Sequence, residues 1–244
     1  MTACHPALFE YPDRAALGRV VPKSRIYVAG KANRRLKERF ASQIERIIWQ
    51  YKLAPESLNL RGSEAVPEIQ LFRLELKPGA DSETLPEDIL RCIDKAIGFP
   101  LIFELITSPR SGNGGKVRVA ATYKRPSEAD ASKWVLGEYF ATGWMPADTP
   151  RAPLPVALDL PRLYDQLLRA LIPVPSRKGE TLAELTERHN QIVARQRECQ
   201  RLEARIHREK QFNRKVELNR QLRELKAELK ALSESTNEGQ RQHG

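Results

Sequence analysis

The chain has only three cysteines in 244 residues, Cys4, Cys92 and Cys199. They lie far apart and form no CxxC pair, which excludes a disulfide framework and fits a reducing cytoplasm. Its four histidines are His5, His189, His207 and His243. None falls between Gly18 and Met145, so a Ser–His or Cys–His nucleophile and a histidine-based metal site are excluded there. His189 and His207 share one helical stretch 18 residues apart, where solvated or seam histidines outweigh a bridging metal. No run approaches the ~18 uncharged apolar residues of a membrane span. Met1–Glu10 lacks a basic stretch followed by an apolar one, so no secretory leader is expected. Neither a P-loop nor a GxGxxG occurs, and the glycines of Ser111–Gly115 (SGNGG) read as turn residues between two strands.

What the chain does have is charge. Forty-one Lys and Arg against 31 Asp and Glu leave +10. Charged residues make up 30%, above the ~25% of an ordinary globular domain, which points to a part lying outside a core. From Arg177 to Leu232 there are 15 basic and 9 acidic residues, so that quarter holds +6 and the other 188 residues only +4. The same stretch has no proline, whereas seven of the 17 prolines fall between Pro146 and Pro175. That shift marks a boundary.

Periodicity divides the chain further. In Asn33–Leu53, Leu36, Phe40, Ile44, Ile47, Ile48 and Tyr51 step by three or four and predict one amphipathic helix, stopped by Pro55. Val66–Lys77 reads as a strand, and Pro86 opens a helix carrying Ile89, Leu90, Ile93 and Ile97. Phe99–Ile106 is nearly all apolar, as in a strand covered on both faces, and Lys116–Tyr123 alternates as its hairpin partner across the turn Ser108–Gly115. Trp134–Trp144 supplies a further strand. The expected fold is α+β over residues 1–145, a small sheet with helices on one face. A proline-rich bridge, 146–176, holds a docking helix at Leu158–Ile172, with Asp159 as N-cap and Leu163, Leu167, Leu168 and Leu171 on one face. Residues 177–232 form a basic coiled-coil helix, roughly 80 Å long if unbroken. Its seam is Leu182, Leu185, Ile192 and Cys199, then Leu218, Leu222, Leu225, Leu229 and Leu232. The register slips at His207–Lys215, as a stutter, a hairpin or a change of partner would make it. The tail, 233–244, is polar and expected to be disordered.

Three sets of residues are candidates for chemistry. Glu75 and Lys77 have the ExK spacing of a PD-(D/E)xK nuclease strand, where Glu45 or Glu68 would add a ligand for Mg or Mn. No acidic residue sits on a clear preceding strand, so a charged strand face is the simpler reading. Lys124 and Arg125 stand at a strand end beside Pro126 and suit either a phosphate contact or a solvated turn. Arg195, Arg201, Arg205, Arg208, Lys210, Arg214 and Lys215, with Arg197 among them, make the strongest nucleic-acid candidate. The competing reading is the outer face of a coiled coil with acids interspersed. Phe212 is the only aromatic there, so single-strand recognition by stacking is not expected.

Several strings carry a family likeness. They are Ile48-Trp49-Gln50-Tyr51-Lys52-Leu53-Ala54-Pro55-Glu56, Val66-Pro67-Glu68-Ile69-Gln70, Leu90-Arg91-Cys92-Ile93-Asp94, Tyr123-Lys124-Arg125-Pro126-Ser127-Glu128-Ala129-Asp130 and Glu209-Lys210-Gln211-Phe212-Asn213-Arg214-Lys215-Val216-Glu217. Across about Phe9 to Leu232 the chain resembles the bacterial domain-of-unknown-function family numbered 4391. The resemblance implies a context beside restriction-modification, methyltransferase and helicase genes, and no activity. The resulting expectation is a cytoplasmic, non-catalytic accessory subunit of a DNA-targeting or anti-phage defence system, with no cofactor and no membrane. Its partners would be a helicase, methyltransferase or restriction subunit, a second copy held through the coiled coil, and DNA along the basic face. The alternative is the metal-dependent nuclease.

Overall fold

The computed structural model describes residues 7–79, 86–107, 115–127, 130 and 134–234. Most of the expected turn at Ser108–Gly115 and of the expected disordered tail lies outside them. The chain divides into two compact units, Met1–Leu171 and Ile172–Gly244.

In the first unit the order is β1 (Phe9–Glu10), β2 (Ala16–Val20), α1 (Lys23–Ala29), α2 (Arg34–Gln43), β3 (Ile44–Leu53), α3 (Pro55–Leu58), β4 (Ile69–Leu76), α4 (Glu87–Ala96), β5 (Leu101–Thr107), β6 (Lys116–Pro126), β7 (Trp134–Ala141), β8 (Met145–Pro146), β9 (Ala152–Pro153) and α5 (Leu160–Arg169). The main sheet runs β2-β3-β4-β5-β6-β7, with β8 added to β6. Within this sheet, among the described residues, only β4 and β5 pair in parallel, and α4 makes that crossover, while β1 and β9 form a separate two-stranded parallel pair. Phe72, Leu74, Phe103, Leu105 and Ala120 turn to one face of the sheet and pack with Ile26 of α1, Phe40 of α2 and Ile93 of α4. The alternate residues Leu71, Ile102 and Val119 are buried too, so both faces are covered. Asp159 caps α5 by accepting from the Arg162 amide at 2.8 Å. The Tyr164 hydroxyl of α5 donates to the Thr122 carbonyl at 2.9 Å and accepts from the Lys124 amide at 3.1 Å, tying the helix to β6.

The helix expected over Asn33–Leu53 is a correction. Asn33 does cap a helix, accepting from the Leu36 amide at 2.9 Å, but α2 ends at Gln43 and β3 begins at Ile44. The pairing of β3 with β4 shifts between Ile44 and Arg46 and again between Trp49 and Tyr51. Such bulges reset the two-residue alternation, so the buried positions fall three or four apart and imitate a helix. The β-branched and aromatic run Ile47-Ile48-Trp49 marks the strand that periodicity hides.

The second unit carries α6 (Leu182–Arg208) and α7 (Phe212–Ser233). The single 80 Å helix is therefore corrected to two. Thr181 and Glu184 form a reciprocal capping box at the start of α6. At its end the Glu209 carboxylate accepts the amides of Lys210 and Gln211, at 2.8 and 2.9 Å, and turns the chain. The helices run antiparallel: Arg195 meets Glu228 at 3.4 Å and Lys226 meets Glu203 at 2.8 Å. Cys199, Leu222 and Leu225 are buried between them with Leu202 and Ile206 alongside. Leu182, Leu185, Ile192 and Leu218 are also buried, while Leu229 and Leu232 are half-buried. Thus Cys199, Leu222 and Leu225, expected in a coiled-coil seam, meet within one chain. Among the described residues no helix is long and apolar enough to cross a membrane.

The open end of this hairpin is closed by two arginines. Arg177 donates to the carbonyls of Ala231, Leu232 and Glu234, the acceptors that α7 leaves unsatisfied at its C-terminus. Arg188 donates to the Leu232 and Pro175 carbonyls and grips Glu180 at 2.6 and 2.8 Å. That grip, chiefly the Arg188 hydrogen bonds, holds the Glu180 carboxyl down to about 2 from an ordinary 4.5. A depressed carboxyl stabilises the folded state above its unfolded value and loses that contribution as pH falls from about 4.5 toward 2. Helicity followed by circular dichroism should fall across that window, and Glu180→Gln should flatten the pH-dependent step while lowering stability at pH 7.

Candidate nucleic-acid interface

At 100° per residue, Arg197, Arg201, Arg205 and Arg208 fall within about 80° of arc. The stripe lies on the side of α6 turned away from Cys199, Leu202 and Ile206. All four are exposed, and none has a salt bridge within 4 Å among the described residues, although Glu209, its carboxyl held down chiefly by the Gln211 amide, is near enough to feel Arg205 as well. Lys210 and Lys215 at the turn are likewise exposed and unpaired. Two predicted candidates differ. Arg195 lies toward the seam and pairs with Glu198 and Glu228, and Arg214 lies 3.8 Å from Glu209. His189 and His207 stand roughly 27 Å apart at ~1.5 Å per residue, so they share no site.

The Lys124–Arg125 candidate resolves differently. Lys124 is not a surface cation: its side chain is 0% exposed. Ala120, Thr122 and Lys124 alternate onto the helix-covered face of the sheet, where the Lys124 ammonium meets the end of α4. It donates to the Asp94 carbonyl at 2.6 Å and to the Ile97 carbonyl, and pairs with the Asp94 carboxylate at 3.5 Å. A lysine from a strand thus caps the negative end of a helix. Asp94 also accepts from the Tyr139 hydroxyl, and Lys124 lies 5.5 Å from the Trp134 ring centre. Burial pushes Asp94 up to about 6 despite Lys124 and Tyr139, and pushes Lys124 down. Lys124 therefore has no face left for phosphate. Arg125 beside it is half-buried and has partners of its own.

Of the nuclease candidates, Glu75 and Glu68 are each engaged by a cation and stand far apart. Glu75 binds Arg46 across the strand pair at 2.6 Å. Glu68 binds Lys52 at 3.2 Å and accepts from Gln70. Seven residues of nearly extended chain, roughly 23 Å at ~3.3 Å each, separate the two. Lys77 lies just beyond the end of β4, and Glu45 sits in the bulge of β3 opposite the Glu75–Leu76 step, where Lys77 and Glu45 both act on the Lys23 ammonium. Among the described residues no three His, Cys, Asp or Glu side chains form a metal-binding group.

A second buried network escaped the reading of motifs. Glu104 of β5, 1% exposed, accepts from Arg151 at 2.6 and 3.1 Å and lies 3.7 Å from Arg73, its register partner on β4. Arg151 also donates to the Phe9 carbonyl at 2.9 Å, fixing the N-terminal segment over this face of the sheet. A lone Glu inside the apolar run Leu101–Ile106 was the available signal, since a buried acid requires a partner. Glu104→Gln keeps the shape but weakens the charge-assisted bonds, at a cost of about 1.5–3 kcal/mol. The melting temperature of the first unit should fall by about 3–12 °C in calorimetry.

The architecture defines an α+β protein with a mixed sheet and a basic helical hairpin. The chain belongs to a family defined by a domain of unknown function (DUF4391), whose model matches residues 9–229. No curated protein and no solved structure matches it significantly.

Proposed function

We propose that this protein is a non-catalytic accessory subunit that binds DNA through the phosphate backbone along α6, within a bacterial DNA-targeting or defence assembly. The observation that carries the reading is the stripe of Arg197, Arg201, Arg205 and Arg208, exposed, without a salt bridge among the described residues and turned away from the helix contact. Four cations that displace the counterions condensed on DNA phosphates give salt-dependent binding without sequence preference, with a slope of about −3.6 in log K against log salt. The antiparallel seam, a short coiled coil in this reading, holds the stripe rigid, and a helicase, methyltransferase or restriction subunit supplies the chemistry. Fluorescence anisotropy of the full chain with labelled duplex minicircles of unrelated sequence, which have no ends, from 50 to 300 mM salt, tests it. Similar affinities and a slope near −3.6 are expected. Absence of binding at 50 mM, or a slope near zero, overturns it.

A further inference from the structure

The apex of the hairpin carries an apolar ring where a solvated turn needs none. Phe212 is the first residue of α7, immediately after the three-residue turn, and is 78% exposed. Val216 follows one helical turn later on the same face and is 49% exposed. A large apolar side chain ordinarily turns inward. Phe212 projects outward instead. It does so among cations, because Arg208, Lys210 and Lys215 are exposed and have no ion pair among the described residues. The nearby acids are engaged. Glu209 is turned onto the amides of Lys210 and Gln211, and Glu217 binds Arg220 at 2.9 Å. The apex thus offers a ring rimmed by free positive charge.

We infer that this apex recognises the end or fork of a DNA duplex, with Phe212 stacking on the exposed face of the terminal base pair while Arg208, Lys210 and Lys215 hold the flanking phosphates. The inference rests on the DNA-binding reading above and adds the substrate class. In an uninterrupted duplex every base face is stacked against its neighbour, so a projecting ring finds no partner. At an end or fork one face is open, and an aromatic ring stacks on any base because every base has a π-face. The arginine stripe from Arg197 to Arg208 spans about 16 Å at ~1.5 Å per residue. That length matches about five nucleotide steps of one strand at ~3.4 Å each. A lipid surface fits less well, because membrane-seated helices present a broad apolar face and this apex offers Phe212 and Val216 alone.

The experiment is competition anisotropy with the full chain at one salt concentration. Its competitors are a forked duplex and a relaxed minicircle without ends, matched in phosphate concentration. The fork should compete about 10-fold better. Phe212→Ala should erase that preference while leaving minicircle affinity and salt slope unchanged, and Phe212→Trp should retain it. Equal competition by fork and minicircle with the unmodified chain overturns the inference, as does an equal loss for both DNAs in F212A. Binding to phosphatidylserine vesicles that F212A abolishes, with no fork preference, overturns it in favour of a membrane role. If neither DNA binds, the DNA-binding reading fails and the assignment of the apex falls with it, whereas equal competition by two DNAs that do bind overturns the apex alone.

Discussion

Replacing Arg201, Arg205 and Arg208 together by Glu is expected to remove DNA binding by the full chain. The three side chains stand one above another on the exposed side of α6. Each contributes about 0.9 to the salt slope when it neutralises a phosphate, so removing three cations lowers a slope of 3.6 to about 0.9. At 50 mM salt that difference amounts to roughly a 3000-fold loss relative to 1 M salt, and the three new carboxylates add repulsion. The seam is untouched, because Cys199, Leu202 and Ile206 face the other way. Glu near the negative end of α6 does cost about 0.3–1 kcal/mol per position. The triple Gln variant separates the two effects: it forgoes the favourable charge of Arg205 and Arg208 at the helix end but adds no repelled one, and should still lose about 2.7 in slope. Unchanged helicity with lost binding supports the assignment. Binding that survives in the Glu variant with its slope intact places the contact elsewhere and removes the function proposed for the stripe.

The residues themselves explain which parts of this arrangement were legible. The strands β4, β5, β6 and β7 were readable because burial on a regular sheet repeats every two residues or fills a whole run. β3 was not, because its two bulges broke the alternation that would have announced it. The hairpin was only half legible. The polar stretch His207–Lys215 marked a break, but heptad spacing is the same in a long helix and in two short ones. What decides between them is the Glu209 carboxylate on the amides of Lys210 and Gln211, a local contact with no periodic signature. Phe212 was discounted as a lone aromatic because a linear pattern does not reveal an apex. Lys124 was read as a strand-end cation, although its spacing of two from Thr122 and four from Ala120 already placed it on the buried face. Asp94, four residues after Leu90 on the apolar face of α4, was the matching clue.

That pair supports the largest stability effect. Asp94→Ala is expected to destabilise the first unit by about 3–5 kcal/mol, because it leaves the Lys124 ammonium buried with carbonyls and a ring for company. At 2–4 °C per kcal/mol the melting temperature should drop by about 6–20 °C. Lys124→Met should cost less, about 1–3 kcal/mol, since Asp94 keeps the Tyr139 hydroxyl and becomes neutral readily at its raised pKa. The double variant Asp94→Leu with Lys124→Met removes both charges and should recover much of the loss. The sign of the pH dependence follows from the same burial. Asp94 titrates near 3.8 when unfolded and near 6 when folded, so the folded state binds its proton more tightly. Its contribution favours folding most below about pH 4 and is lost as pH rises toward 6, by about 3 kcal/mol in all. Denaturant titrations of the full chain between pH 4 and 7 should show this decline in the parent and not in Asp94→Asn. A parent whose stability rises steadily through that window, with Asp94→Asn following the same curve, would mean that Lys124 rather than burial governs the carboxylate. Asp94 would then be ionised throughout, and α4 would be anchored to β6 by a full ion pair at every pH tested.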